Sequence, residues 1–325
     1  IELLTEPVAG HEQPFYYHFV VVLLGCFPIS ILAFPAFLKR KKLIGYDFEL
    51  WMKILFWVVM ILFTIVKTKI VHYSSMSYLP LSFLAALTLF PYFSFPNEKK
   101  LPNYLTISFL VIGLIFGILL TLTPILFDNH QWITPYIKDD FAVSSFNIEL
   151  NFYGFEFLIG LLFIVGLFLS FKLLKQNKVI AFAKTIAIST GVTLLLFAVF
   201  VVPKIEKFSQ GPAIKFYSSL ESKDVYVTTI GYKSYAHYFY TKFKPHSVSD
   251  GIEKLKNGYK TDLLDPKDYN QNEVNTLINN WLLSGEIDKD AYFVTKITHR
   301  ENMKNYPNLE FIENKGGFDF YIRKH

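Results

Sequence analysis

Six apolar runs dominate the first part of the chain, at roughly 16–38, 50–67, 74–95, 103–126, 150–171 and 179–202, each with aromatic or basic residues near its ends. A helix needs about 20 mostly apolar residues to cross a bilayer, because its backbone N–H and C=O groups must be satisfied where there is no water. The pattern therefore predicts an α-helical membrane bundle of about six transmembrane helices. Pro28, Pro35 and Pro80 fall inside apolar runs, where neighbouring helices compensate a lost hydrogen bond, and they predict kinks rather than breaks. From about 207 onward short β-rich stretches alternate with amphipathic ones. Asp224 to Ile230 predicts a strand, followed after Gly231 by a helix through Tyr235, Tyr238 and Phe239. Asn272 to Ser284 predicts a helix, since Val274, Leu277, Ile278, Trp281 and Leu282 recur at spacings of three and four before Gly285. Ala291 to Ile297 predicts a second strand, Thr298 the cap of a short helix, and Leu309 to Ile312 with Phe318 to Ile322 a hairpin across Gly316-Gly317. The expected architecture is a transmembrane bundle over 1–206, followed by a small soluble α/β extracytoplasmic domain over 207–325.

Charge sharpens this division: 27 of residues 1–206 are Lys, Arg, Asp or Glu, against 32 of the 119 that follow. A mean hydropathy of +0.32 with only 18% charged residues excludes an ordinary soluble enzyme. The single Cys26 excludes a disulfide framework and a cysteine-based zinc or redox site. A net charge of +5, much of it beside apolar runs, gives no reason to expect nucleic acid as a partner. The chain starts at Ile1 with no signal-peptide pattern in 1–15, and is expected to be a fragment of a longer protein.

The loops predict orientation. Lys39, Arg40, Lys41, Lys42, Lys99, Lys100, Lys172, Lys175 and Lys178 fall in one set of connections, and only Lys67, Lys69 and Lys138 in the alternate set. Positive residues concentrate on the cytoplasmic side, so the second set, together with the tail from about 203, is expected outside. An even number of spans that starts and ends outside then calls for an odd number before Ile1.

Candidate chemistry clusters on the outer side. The turn Lys67-Thr68-Lys69-Ile70-Val71-His72-Tyr73 gathers two ammonium groups, an imidazole and a phenol at the membrane surface. An interfacial anchor of snorkelling lysines and a belt tyrosine explains that composition, and so does a site for an anionic phosphate. The segment from Gly10 to His18 adds His11, Glu12, Tyr16, Tyr17 and His18, whose spacing is not HExxH and reads as an interfacial cluster. Glu156 lies seven residues from Glu149, on roughly the same face if both are helical. The loop from Asp128 to Trp132 and on to Asp140 could furnish a general base, or could simply be solvated. In the tail, Tyr226, Tyr232, Tyr235, Tyr238 and Tyr240 suit either carbohydrate stacking or a strand and helix core.

Two strings taken together carry a resemblance. PVAGHEQPFYYHF, from Pro7 to Phe19, and KTKIVHYSSMSYLPLSFLAAL, from Lys67 to Leu87, each lead into a span. They resemble the second half of the ArnT-like membrane glycosyltransferases, which stand with the protein mannosyltransferases in the GT-C class. Lys69, His72, Tyr73 and Pro80 fit the K-x-x-H-Y pattern with its later proline, although Val71 stands where the family often has proline. The resemblance covers about 7–202. It implies an inverting transfer of a sugar from a polyprenyl-phosphate carrier to a lipid, glycan or protein acceptor, at the outer face of a bacterial inner membrane. It also implies that Lys67, Lys69, His72, Tyr73, His11, Tyr16 and Tyr17 bind substrate, that Lys69 and Tyr73 hold the donor phosphate, and that the acidic catalytic residue lies upstream of Ile1. No cofactor is certain from the sequence, and a divalent metal is left open without a residue pattern that supports it. The competing expectations are a transporter or flippase, which would need paired ionisable groups at the bilayer midplane or an inverted repeat, and a membrane-anchored carbohydrate-binding protein.

Overall fold

The structure, a computed structural model, describes residues 13–38, 47–66, 69–94, 101–148, 150 and 152–325. These gather into two compact units, one drawn from 1–125 and 152–201, the other from 126–151 and 202–325.

The first unit is helical: α1 (Tyr17–Gly25), α2 (Ile29–Leu38), α3 (Phe48–Ile65), α4 (Tyr78–Ser94), α5 (Asn103–Asp128, which runs on into the second unit), α6 (Phe157–Lys175) and α7 (Val179–Phe200). Apolar residues lie all round these helices, so each contributes to the core and still presents apolar surface outward. Phe109, Phe163 and Phe182 are fully buried, and the Phe109 ring sits 5.4 Å from Phe27 and 5.2 Å from Phe182. Trp57, Ile61, Ile188 and Leu195 are 44%, 53%, 66% and 64% exposed, which is what a lipid-facing surface requires. Five of the described helices are long and apolar enough to cross a membrane, and six if α1 and α2 count as one bent span. The chain is a multi-pass membrane protein.

Two expectations for the apolar runs need correction. Pro28 breaks rather than kinks the first run: α1 and α2 meet at 114°. Pro28 has no N–H to continue the helix, and the Ser30 hydroxyl donates to the Leu23 carbonyl at 2.7 Å, satisfying a group that the break leaves without its helical donor. Pro35 and Pro80 do lie within helices, α2 and α4. The fifth run becomes helical only at Phe157, because Gly154 adopts a φ of +84° and Glu156 Oε1 accepts from the Tyr153 N–H at 2.9 Å. Glu156 precedes the helix, and Glu149, its expected partner on a common helical face, lies outside the described residues. Lys53 pairs with Glu49 at 2.6 Å on α3.

Glycines set the closest helix approaches. Gly113 and Gly117 on α5 face Leu167 and Ile164 of α6, and Gly160 on α6 faces the backbone of Thr121 on α5. Between α6 and α7, Gly166 leaves room for Ser189. Small residues let membrane helices pack backbone against backbone, where apolar side chains gain nothing over lipid. Gly160→Val should therefore lower the thermal midpoint of the detergent-solubilised protein by several degrees, whereas Gly191→Val, whose site meets nothing within 4 Å, should leave it within about a degree. Equal midpoints for the two variants would refute this packing.

The second unit holds α8 (Val202–Ser209), α9 (Gly211–Ser219), β1 (Tyr226–Ile230), α10 (Ala236–Thr241), α11 (Val248–Tyr259), α12 (Gln271–Ser284), β2 (Ala291–Lys296), α13 (Arg300–Met303), β3 (Glu310–Lys315) and β4 (Phe318–Arg323). The sheet order is β1-β2-β4-β3, with β1 parallel to β2 and the other pairs antiparallel. Alternate residues serve opposite faces. Phe293 and Tyr321 pack with Ile252, Ile278 and Trp281 of the helices on one side, and Val294 and Phe320 with Ala213 and Tyr217 on the other. Burial on both faces explains why β2 reads as a nearly continuous apolar run. The β3–β4 hairpin turns on Gly316 and Gly317, both at positive φ (55° and 79°), as a two-residue turn of this kind needs. Residues from the loop after α5 pack here too: Ser145, at the end of a short helix Asp140–Ser145, donates to the Gly316 carbonyl at 3.3 Å. The expected cap at Thr298 is not formed. Thr298 lies within a 3-10 turn, and His299 stands at the N-terminus of α13 without a side-chain cap.

Candidate functional site

The connection between α3 and α4 is built as a compact 3-10 turn, Val71–Ser77. The Ser74 hydroxyl donates to the Val71 carbonyl at 3.0 Å and that of Ser77 to the Ser74 carbonyl at 2.6 Å, and both serines are fully buried. Local side-chain hydrogen bonds of this kind hold a turn without help from strands or a long helix. Lys69 enters the turn from an extended segment, and its ammonium donates to the Val66 carbonyl, at the C-terminal end of α3, at 2.8 Å. A cation is favoured there because helix C-termini carry partial negative charge and carbonyls lacking a helical donor.

The Lys69 side chain is only 6% exposed, and among the described residues no carboxylate pairs with it. An ammonium has three N–H donors, of which Val66 takes one. Next to it an aromatic row crosses from α1 to the turn. His18 lies 5.2 Å from Tyr17 and 6.1 Å from Phe63, Phe63 stacks on Tyr73 at 5.1 Å, and Tyr73 meets His72 edge-on at 5.0 Å. His18 has no exposed surface, neither of its ring nitrogens has a partner among the described residues, and the Lys69 charge lies near enough to act on it. Buried polar groups are ordinarily satisfied, so the solvent-inaccessible His18 imidazole has hydrogen-bonding capacity that no described residue takes up.

The structure thus draws together Lys69, Tyr73 and Tyr17 of the expected substrate-binding residues, with His72 at the exposed rim. Tyr16 is 52% exposed and packs edge-on against Phe15, away from this row. Lys67 and His11 lie outside the described residues. Sequence reasoning placed His18 in an interfacial cluster and passed over Phe63. The signal for His18 was a titratable side chain opening an otherwise apolar run. Among the described residues no group of three or more His, Cys, Asp or Glu could hold a metal. In the loop after α5, Asp139 caps the short helix through Phe141 N–H (2.9 Å) and Ala142 N–H (3.4 Å), which accounts for that carboxylate without catalysis. The cluster at the turn has donors and no carboxylate bonded to them. It can bind an anion and neutralise charge, but among the described residues it holds no carboxylate to remove an acceptor's proton.

No protein-family model matches the chain. It is 26% identical over 203 residues to the undecaprenyl phosphate-alpha-4-amino-4-deoxy-L-arabinose arabinosyl transferase of Wigglesworthia glossinidia brevipalpis, a match covering 55% of this chain and 34% of that protein. Crystal structures of ArnT from Cupriavidus metallidurans, bound to undecaprenyl phosphate and in the apo state, share its fold with a TM-score of 0.54 at 11% identity. They align with 96% and 98% of this chain and with 52% and 54% of their own. The chain spans about a third of the length of the curated relative and about half that of the solved ArnT structures, and over the latter span it shares the ArnT fold.

Proposed function

We propose that the chain is part of a polyprenyl-phosphate-sugar glycosyltransferase, and that the turn between α3 and α4 holds the phosphate of the donor. The observation that carries this reading is the buried Lys69 ammonium, without a carboxylate partner among the described residues, set beside His18 and Tyr73 in a chain whose fold matches ArnT bound to undecaprenyl phosphate. As the bond from the sugar to phosphate breaks, negative charge grows on the leaving phosphate. A cation fixed in a water-poor site stabilises the second charge developing on the leaving phosphate more than the single charge that the phosphodiester already carries in the ground state. Tyr73 supplies a hydroxyl donor on the same side, held by its stacking on Phe63. His72, exposed at the rim, offers a further ring N–H to an anionic lipid headgroup. The acceptor is a lipid, glycan or protein nucleophile, and a carboxylate from outside this cluster takes its proton in an inverting transfer. The scarcity of Lys and Arg in this set of loops supports an outward-facing site in a bacterial inner membrane, with the C-terminal unit on the same side.

The test is reconstitution of the full-length protein in liposomes with the radiolabelled lipid-linked sugars extracted from its own membranes. Label should pass from lipid to acceptor with release of polyprenyl phosphate. Transfer from nucleotide sugars alone, or no transfer from any lipid-linked sugar, would overturn the reading.

A further inference from the structure

The C-terminal unit contains a cleft of about 560 Å³ along β1 and the loop that follows it, closed on the other side by α10, α11 and α12. Its size is that of a small-molecule site. One wall is α12: Asn272, Asn275, Thr276 and Asn279 recur at three and four along it and line the cleft together with the buried Ile278 and Leu282, while Val274 and Trp281 of the same helix are buried in the core. Two of these carboxamides are oriented by neighbours. The Thr228 hydroxyl donates to Asn279 Oδ1 at 2.7 Å and Gln271 Nε2 donates to Asn275 Oδ1 at 3.1 Å, which leaves both NH₂ groups as donors.

The opposite rim is aromatic and basic. Tyr235 is 64% exposed and lines the cleft with Tyr238. Lys233, Lys244, Lys254 and Lys289 also line it, against the single carboxylate of Asp224, which Lys289 occupies. Lys254 lies 3.9 Å over the Tyr226 ring, and no carboxylate reaches ion-pair distance of it among the described residues. Burial, with Lys289 adding to it against the pull of Asp288, holds the Lys254 ammonium below its usual basicity. An anion in the cleft would recover that lost solvation.

Amide donors in register, tyrosine faces for apolar C–H surfaces and an excess of ammonium groups together describe one ligand chemistry. We propose that this cleft binds an acidic saccharide, a sugar ring carrying a phosphate or carboxylate, with the ring against Tyr235, its hydroxyls on the α12 carboxamides and its charge among Lys244, Lys254 and Lys233. The cleft lies wholly in the second unit, and the proposal does not rest on the transferase reading.

Calorimetry on the full chain in nanodiscs, titrated with glucose 6-phosphate, glucuronate, glucose and inorganic phosphate, tests it. Glucose 6-phosphate or glucuronate should bind one per chain and at least about tenfold more tightly than glucose or inorganic phosphate. Tyr235→Ala and Lys244→Ala, both at exposed positions, should each weaken that binding about tenfold without changing the circular dichroism spectrum. Lys69→Ala should leave it unchanged. Inorganic phosphate binding as tightly as the sugar phosphate would reduce the cleft to an anion patch, and glucose binding as tightly would remove the role of charge. Loss in Lys69→Ala with retention in Tyr235→Ala would move the ligand to the turn between α3 and α4. Each of these results, or no binding at about 10 mM, overturns the proposal.

Discussion

Lys69→Ala in the full-length protein is expected to lower sugar transfer from a polyprenyl-phosphate donor about a hundredfold or more, and Tyr73→Phe about tenfold. The difference follows from charge. A fixed donor aimed at developing negative charge in a water-poor site contributes about 3 kcal/mol, and a neutral hydroxyl about 1 kcal/mol. Lys69 also closes the end of α3 through Val66, so a structural loss has to be told apart from a chemical one. Lys69→Arg separates them: it keeps the positive charge and should restore part of the turnover, whereas a merely structural role would show as a lowered thermal midpoint with kcat and KM both unmoved in the surviving protein. Binding of undecaprenyl phosphate to the same variants gives a second readout and should weaken in Lys69→Ala. Unchanged turnover in both Lys69→Ala and Tyr73→Phe would remove the assignment of the turn.

The second large effect concerns the C-terminal unit. Asp319 has no exposed surface, and its carboxylate accepts from Arg300 Nε at 2.7 Å, Arg300 Nη2 at 2.6 Å and Asn314 Nδ2 at 2.7 Å. Arg300 keeps 39% of its side chain in solvent, so the pair contributes less than a fully buried one. Arg300→Ala would strand the buried carboxylate on Asn314 alone and should cost about 2 to 3 kcal/mol of local stability. Asp319→Ala should cost less, because the freed guanidinium can turn into water and Asn314 retains the Phe318 carbonyl at 3.1 Å. Hydrogen exchange of the β2 and β4 amides measures this directly. Protection should fall further in Arg300→Ala than in Asp319→Ala, and equal losses would show that solvent already screens the pair.

Where one periodicity decides an element, the sequence was legible. The long apolar runs, the Gly316-Gly317 hairpin and the helix ending at Gly285 each rest on a local pattern that tertiary contacts did not overrule. The break at Pro28 was not readable in this way, since the same proline kinks a helix or ends it depending on whether a neighbour such as Ser30 takes over the freed carbonyl. Phe152 and Phe155 extend the apolar pattern of the helix they precede, and the positive φ at Gly154 and the bond from the Tyr153 N–H to Glu156 mark residues 152–156 as non-helical. The packing of Ser145 against Gly316 joins residues 171 apart in sequence, a separation at which composition carries no signal. At the candidate site, Lys69 and Tyr73 stood out as donors in a short turn. The contribution of His18 depended on α1 folding back against the end of α3, which no spacing announces.

The helix α12 carries two independent sets of demands on alternate stripes. Its apolar stripe answers to the fold, and exchanging Val274 or Trp281 would be felt throughout the unit. Its carboxamide stripe faces the cleft, so Asn272, Asn275 and Asn279 answer to what occupies it, while Asn279 and Asn275 also accept from Thr228 and Gln271. Ligand preference on this helix can therefore drift between related chains while the apolar stripe stays constant, and variation confined to the carboxamide stripe would record a change of ligand rather than a loss of function.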